Sequence, residues 1–371
     1  MSTTDFERRT RACQERLREQ DVDAAVLFPS PNLYYASGFH ESPGERHLFL
    51  FVPSEGDPVF LVPELYGSQV RDESWIGEVH TWADGEDPVE HVREILAPIV
   101  SGGAHVLVDD TMWALFTQDL EAALPDATFG LASEVFDDLR MRKDETELDA
   151  LRRAGELADS VSTEVRKLGR SAIGMTEREL AEEIESSLAS AGGEGLSFEV
   201  IVGAGPNGAK PHHHHSDRKI RTGEPVVLDF GAWVDHYPGD QTRTVVFAGD
   251  PPARFEEVHE LVCDALDAGV AAVEPGVEAQ AVDRAAREVI EDAGYGDQFI
   301  HRTGHGVGLD VHEPPYIVEG NALELEPGMV FSVEPGVYIE GEFGVRVEDL
   351  VVVTEDGCER LNDSPRTWES L

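Results

Sequence analysis

The chain has 371 residues, 41% of them apolar and 8% aromatic, enough for buried cores and too long for one ordinary domain. Asp and Glu number 74 against 29 Lys and Arg, a formal net charge of −45. No basic patch exists to meet nucleic acid or an anionic membrane, which excludes both as partners.

Only four of the basic residues are lysines, Lys143, Lys167, Lys210 and Lys219. A surface so rich in short carboxylates repels itself at low salt and is screened within about 3 Å at 1 M salt. This composition predicts adaptation to a very salty cytoplasm, with an ordinary acidic, highly soluble enzyme as the simpler alternative. The opening stretch MSTTDFERRTRACQERLREQ has a polar helical pattern without the apolar centre of a signal peptide. Apolar runs at 24–29, 47–53, 58–63 and 105–110 read as buried strands, with helices near 86–100 and 115–124. Together they predict an α/β domain over residues 1–135. The charged stretch 141–169 carries apolar residues at helical spacing and predicts one long helix near the start of a second domain, residues 136–371. A helix over 176–191 follows, with Thr176 as N-cap and Glu179 three residues on, and two more are predicted over 254–273 and 277–293. Cys13, Cys263 and Cys358 share no close spacing, which argues against a disulfide scaffold or a cysteine zinc site. No apolar run reaches the roughly 18 residues of a membrane span. A soluble, cytoplasmic protein is expected.

From about residue 198 strand-like segments alternate with Gly/Pro turns, and two hairpin-like stretches, 225–247 and 329–353, echo one another. Each carries an acidic residue in its first strand and another in its second. Asp229 and Asp240 are 11 residues apart, Glu334 and Glu348 are 14 apart, and His305 lies between the hairpins in TGHGVG. Carboxylates embedded in apolar strands are costly unless paired or bound to metal. Arg243, Arg302 and Arg346 could absorb one or two of them in salt bridges, not four. Four carboxylates and an imidazole suit a pair of divalent ions, which carboxylates bridge and which activate a water between them.

The strings VVLDFGAWVDHYPGDQTRT, HRTGHGVGLDVHEPP, GMVFSVEPGVY and GVRVEDLVVVTEDG resemble the pita-bread metallopeptidases, a family that includes methionine aminopeptidase, Xaa-Pro aminopeptidase and Xaa-Pro dipeptidase (prolidase). The resemblance covers roughly residues 140–371. The N-terminal α/β domain resembles that of the proline-specific branch and of creatinase. The resemblance implies a duplicated α+β catalytic domain and two divalent ions per subunit, manganese or cobalt first, zinc or iron second. Asp240 and Glu348 would bridge the ions, Asp229 would complete one, and His305 and Glu334 the other. Glu334 would also shuttle the proton, with His312 and His212 beside the substrate. It further implies short proline-containing peptides as substrates and a homodimer.

Weaker features take simpler readings. The run His212–His215 is internal and no expression tag, and only His212 matches a pocket histidine of the family. His301 is a substrate-binding candidate, with a satisfied structural histidine as the simpler alternative. Arg346, two residues before Glu348, either salt-bridges a ligand carboxylate or holds substrate or Glu348. Gly304, Gly306 and Gly308 lack the context of a nucleotide loop, and their expected role is to let the backbone pass close to the metals. In some prolidases an arginine shortly after the HExP motif is thought to clamp the free carboxylate of a dipeptide. Tyr316 stands there here, and Arg46 in the loop 38–47 is a candidate replacement. Two rivals remain: a creatinase-like hydrolase, which lacks this ligand set, and a non-catalytic binding protein on the same scaffold, which typically loses ligands.

Overall fold

The computed structural model describes residues 2–100 and 102–370. Cα packing divides the chain into Met1–Arg140 and Met141–Leu371. The boundary expected after residue 135 falls inside the helix Ser133–Met141.

The first unit is built on a six-stranded mixed sheet. Its order is Val79–Trp82, Val59–Pro63, Phe49–Pro53, Ala24–Leu27, His105–Val108 and Thr128–Leu131. The four inner strands are the apolar runs of the sequence. The two edge strands, VHTW and TFGL, are half-exposed and carry no apolar run to announce them.

In the second unit the helix Glu145–Arg166 starts at Asp144, whose side chain accepts from the amides of Thr146 and Glu147 while Glu147 reaches back in a capping box. The single helix expected from residue 141 is therefore shorter, because this cap fixes its start. The helix Glu177–Ser190 is capped by Thr176 with Glu179. These two helices cover a sheet ordered Gln241–Val245, Val226–Phe230, Ile201–Ala204. The helices Phe255–Ala271 and Ala279–Asp292 cover a five-stranded sheet that includes Gly304–Gly306, Val330–Val333 and Asp349–Thr354. Each half has its own core.

Alternation along the strands decides what faces away from the helices. Val226, Leu228 and Phe230 enter one core, which turns Asp229 to the opposite face. Phe331 and Val333 enter the other, which turns Ser332 and Glu334 away. Phe343, Val345 and Val347 do the same for Arg346 and Glu348. Packing alone already requires the glycines of TGHGVG. A Cβ on Gly304 would strike the Ser332 carbonyl, on Gly306 the Pro314 carbonyl, and on Gly308 the Glu313 carboxylate. Gly304 and Gly306 allow close packing of strand on strand, and Gly308 leaves room for the Glu313 side chain.

The surface carries the acidic excess, and a stability prediction follows. Diluting salt from about 1 M to 0.1 M lengthens the Debye length from about 3 to about 10 Å and exposes the carboxylates to one another. The melting temperature is expected to fall on that dilution; a constant or rising value in a salt series would contradict adaptation to high salt.

Candidate active site

The residues turned away from the two cores meet in a cavity of ≈ 520 Å³. Asp229, Asp240, His305, Glu334 and Glu348 all line it, with His212, His301, His312, Arg302 and Arg346. Asp229 stands opposite Thr242 in the first hairpin. In the second, Val333 stands opposite Asp349, so Glu334 and Glu348 flank the pair at the strand ends. The Glu348 amide donates to the Thr242 carbonyl at 3.1 Å, joining the hairpins at the site.

Ligand atoms of Asp240, His305 and Glu348 lie within 4.8 Å of one another. His305 Nε2 is 3.3 Å from Glu334 Oε1 and 3.8 Å from Asp240 Oδ2. Its Nδ1 faces the Gly306 carbonyl at 3.2 Å, which places the ring proton there and leaves the Nε2 lone pair toward the carboxylates. Burial, and then the neighbouring His312, push the His305 pKa down to about 3, so the ring is neutral. A neutral lone pair facing carboxylate oxygens is unfavourable unless a cation lies between them.

The carboxylates give the same answer. Burial pushes Asp240 well up, reinforced by the charges of Asp229 and Glu334. Burial and the charges of Asp240, Glu334 and Asp229 do so for Glu348. Burial takes Glu334 to about 7. Asp229 Oδ1 and Glu348 Oε1 are buried without a hydrogen-bond donor. Clustered, desolvated, under-bonded carboxylates beside an imidazole lone pair fit divalent cations.

Two candidates for substrate contact take the structural alternative. Arg346 donates from Nη2 to Asp229 Oδ2 at 2.6 Å, from Nη1 to the Tyr338 hydroxyl at 2.9 Å and from Nε to Thr242 Oγ1 at 3.1 Å. Its guanidinium is committed to orienting Asp229, while Thr242 holds Glu348 Oε2 at 2.8 Å. His301 Nδ1 donates to the Arg302 carbonyl at 2.7 Å, so its Nε2 accepts from Tyr338 at 2.8 Å. The chain His301–Tyr338–Arg346–Asp229 leaves neither His301 nitrogen for a substrate. Burial and then the Arg346 charge hold the His301 ring down at about 4, in the neutral form this chain requires. Arg46 lies in the first unit, where Asp84 takes its Nε at 3.1 Å and its Nη2 at 3.3 Å.

His312 packs edge-on against His305, with centroids 4.0 Å apart. Burial and then Arg302 hold its pKa below the usual range. His212 begins the loop pinned by Glu177, a fully buried residue that strand and turn patterns do not mark. Glu177 accepts from the Ser216 hydroxyl at 2.6 Å, His213 at 2.9 Å, the Ala204 amide at 2.9 Å and Asn207 at 3.0 Å. Burial raises its carboxyl, but these donors outweigh burial and leave the pKa lowered. A lowered folded pKa contributes stability above the ordinary carboxylate pKa and loses it as pH falls through the folded value. Glu177→Gln is expected to cost about 1.5–3 kcal/mol at pH 7. Urea unfolding at stepwise lower pH should show the gap to wild type closing, and a constant gap would contradict the assignment.

Thr242, Tyr338 and Glu177 are absent from the site as read from motifs alone, and Arg302 was read there only as a salt-bridge candidate. Tyr338 had a signal: it lies four residues after Glu334, an even spacing. Residues 9–142 match the creatinase/prolidase N-terminal domain, and residues 149–355 match metallopeptidase family M24. The chain belongs to metallopeptidase family M24. Membership makes it a metallopeptidase and implies divalent metal at this site. The enzyme is 40% identical over 347 residues to the probable dipeptidase PepE of Mycobacterium tuberculosis, covering 92% of this chain and 90% of that one. It is 37% identical over 349 residues to the Xaa-Pro dipeptidase of Lactobacillus delbrueckii subsp. lactis, covering 93% and 94%. The crystal structure of a prolidase from Thermococcus sibiricus superposes with a TM-score of 0.94 at 38% identity, covering 99% of each chain. Among the described residues no helix is long and apolar enough to cross a membrane.

Proposed function

We propose that this peptidase cleaves the bond before proline in dipeptides or short peptides, using two divalent ions, manganese or cobalt, held by Asp229, Asp240, His305, Glu334 and Glu348. The observation that carries the proposal is the convergence of these five residues in one cavity, with carboxylates that cannot all ionise there unaided. When bound, such ions supply Lewis acidity and an activated water. The protein supplies the rest. The chain from His301 to Arg346 fixes Asp229, and Thr242 fixes Glu348. Glu334, oriented by Ser332 Oγ at 3.2 Å, is placed to hold a proton and deliver it to the leaving nitrogen. His312 and His212 offer N–H donors to the oxygen on which charge develops. As the C–N bond breaks, the prolyl nitrogen takes up that delivered proton and leaves as a secondary amine.

The similarity to proteins named as dipeptidases and prolidases supports the proline-specific reading, and homodimerisation and a cytoplasmic location belong to it. Rates with Ala-Pro and Ala-Pro-Ala in high salt with Mn²⁺ or Co²⁺ test it. Cleavage of Ala-Pro alone identifies a dipeptidase, and strong cleavage of the tripeptide an aminopeptidase. Stoichiometric metal without turnover of either would overturn the proposal and favour a binding protein.

A further inference from the structure

Two arginines lie in the interior of the catalytic unit, away from the cavity. Strand pairing sets Thr242 beside Asp229 on the cavity face and Arg243 beside Leu228 on the core face. Arg166, at the end of the helix Glu145–Arg166, meets Arg243 on neighbouring carbonyls of the C-terminal segment. It donates from Nη2 to the Pro365 carbonyl at 2.7 Å and from Nη1 to the Glu369 carbonyl at 2.9 Å. Arg243 donates from Nη2 to the Ser364 carbonyl at 3.1 Å and to Asp349 Oδ1 at 2.8 Å. Its Nη1 donates to the carbonyls of Thr242 and Glu348. Each arginine is 1% exposed.

These contacts leave charge and polar atoms unmatched. The Nε atoms of Arg166 and Arg243 are buried and make no hydrogen bond, and neither does Nε2 of the buried His259. His259 lies within reach of both charges. Burial and then Arg166 push its pKa down to about 4, the Thr244 carbonyl opposing and Arg243 adding to the fall. Asp349, the carboxylate paired with Arg243, is shared with Arg360, whose Nη1 is 2.6 Å from Oδ2. Among the described residues Arg166 has no carboxylate within ion-pair distance. Burial and then the Arg243 charge lower its pKa to about 10, which leaves it a cation at neutral pH. A buried charge without a counter-charge is costly, and buried N–H donors without acceptors add to the cost.

We propose that Arg166 and Arg243, flanked by His259, hold a small buried anion, chloride in the high salt that the acidic composition predicts. A water molecule would accept from the two Nε–H groups but leave the charge uncompensated. A sulfate or phosphate brings several oxygens that each need donors, and every Nη atom already donates to the protein. A monatomic halide suits the single Nε–H that each arginine has left. The anion lies behind the candidate metal ligands, because Arg243 follows Thr242, which holds the Glu348 carboxylate, and itself holds the Glu348 carbonyl. Stability then depends on chloride as a ligand as well as on ionic strength.

The measurement is the melting temperature of the metal-loaded protein as potassium chloride replaces potassium glutamate at constant ionic strength, for wild type and Arg166→Met. Surface screening stays fixed in this series, and a general salt effect is common to both proteins. Wild type is expected to gain stability along a saturating curve. In Arg166→Met, which loses a charge-assisted donor, the midpoint should move to more than about 10-fold higher chloride. Wild-type crystals soaked in bromide give a check that needs no variant: an anomalous peak within hydrogen-bonding distance of both Nε atoms is expected. Density there without anomalous signal, a water, would overturn the proposal, as would the same chloride curve in both proteins. A bromide peak without a saturating curve would mean binding at crystal concentration only, and would overturn it too.

Discussion

Glu334→Gln is expected to lower kcat on Ala-Pro by about 10²–10⁴-fold, the range for removing a positioned proton carrier. Glutamine keeps the size of the side chain and an oxygen for the Ser332 hydroxyl, 3.2 Å away in the wild type. It cannot hold and release the proton that the prolyl nitrogen needs. It also removes a negative charge next to His305, 3.3 Å away. Metal content therefore has to be measured on the same sample. A fall in kcat at unchanged metal content separates the proton role from metal loss. Activity within tenfold of wild type would contradict the role given to Glu334.

The second large effect is on stability. Lys143 and Glu313 form a salt bridge of 2.7 Å whose side chains are 1% and 6% exposed. Breaking such a pair from one side strands a buried charge and costs about 3–5 kcal/mol. Lys143→Met should lower the stability of the catalytic unit by that amount in urea unfolding. Adding Glu313→Gln should return part of it, because no unpaired charge then remains. Glu313 follows His312 directly and abuts Gly308, so both variants should also impair catalysis. A single variant within about 1 kcal/mol of wild type would show that the pair is structurally idle.

Much of the fold was legible because burial writes itself into apolar runs: the four inner strands of the first unit and the helices after Thr176. The five candidate ligands were legible for a related reason. Asp229 and Glu334 interrupt apolar strands, and the alternation that buries Leu228 and Val333 turns the acids toward the cavity. The unread parts depend on pairings remote in sequence. Arg346 meets Asp229 across 117 positions and Lys143 meets Glu313 across 170, and no local pattern records either. Arg346 and His301 each had two readings, contact with substrate or a structural role, and only their partners, Asp229 and Tyr338, favour the second. The edge strands escaped because solvent on one side removes the apolar signal.

The central claim is that these residues hold metal and that hydrolysis depends on it. Protein stripped with chelator in high salt should be inactive on Ala-Pro and regain activity as Mn²⁺ or Co²⁺ is added, while Asp240→Asn should not. Turnover of Ala-Pro by the stripped enzyme, or by Asp240→Asn, at the wild-type rate would contradict it.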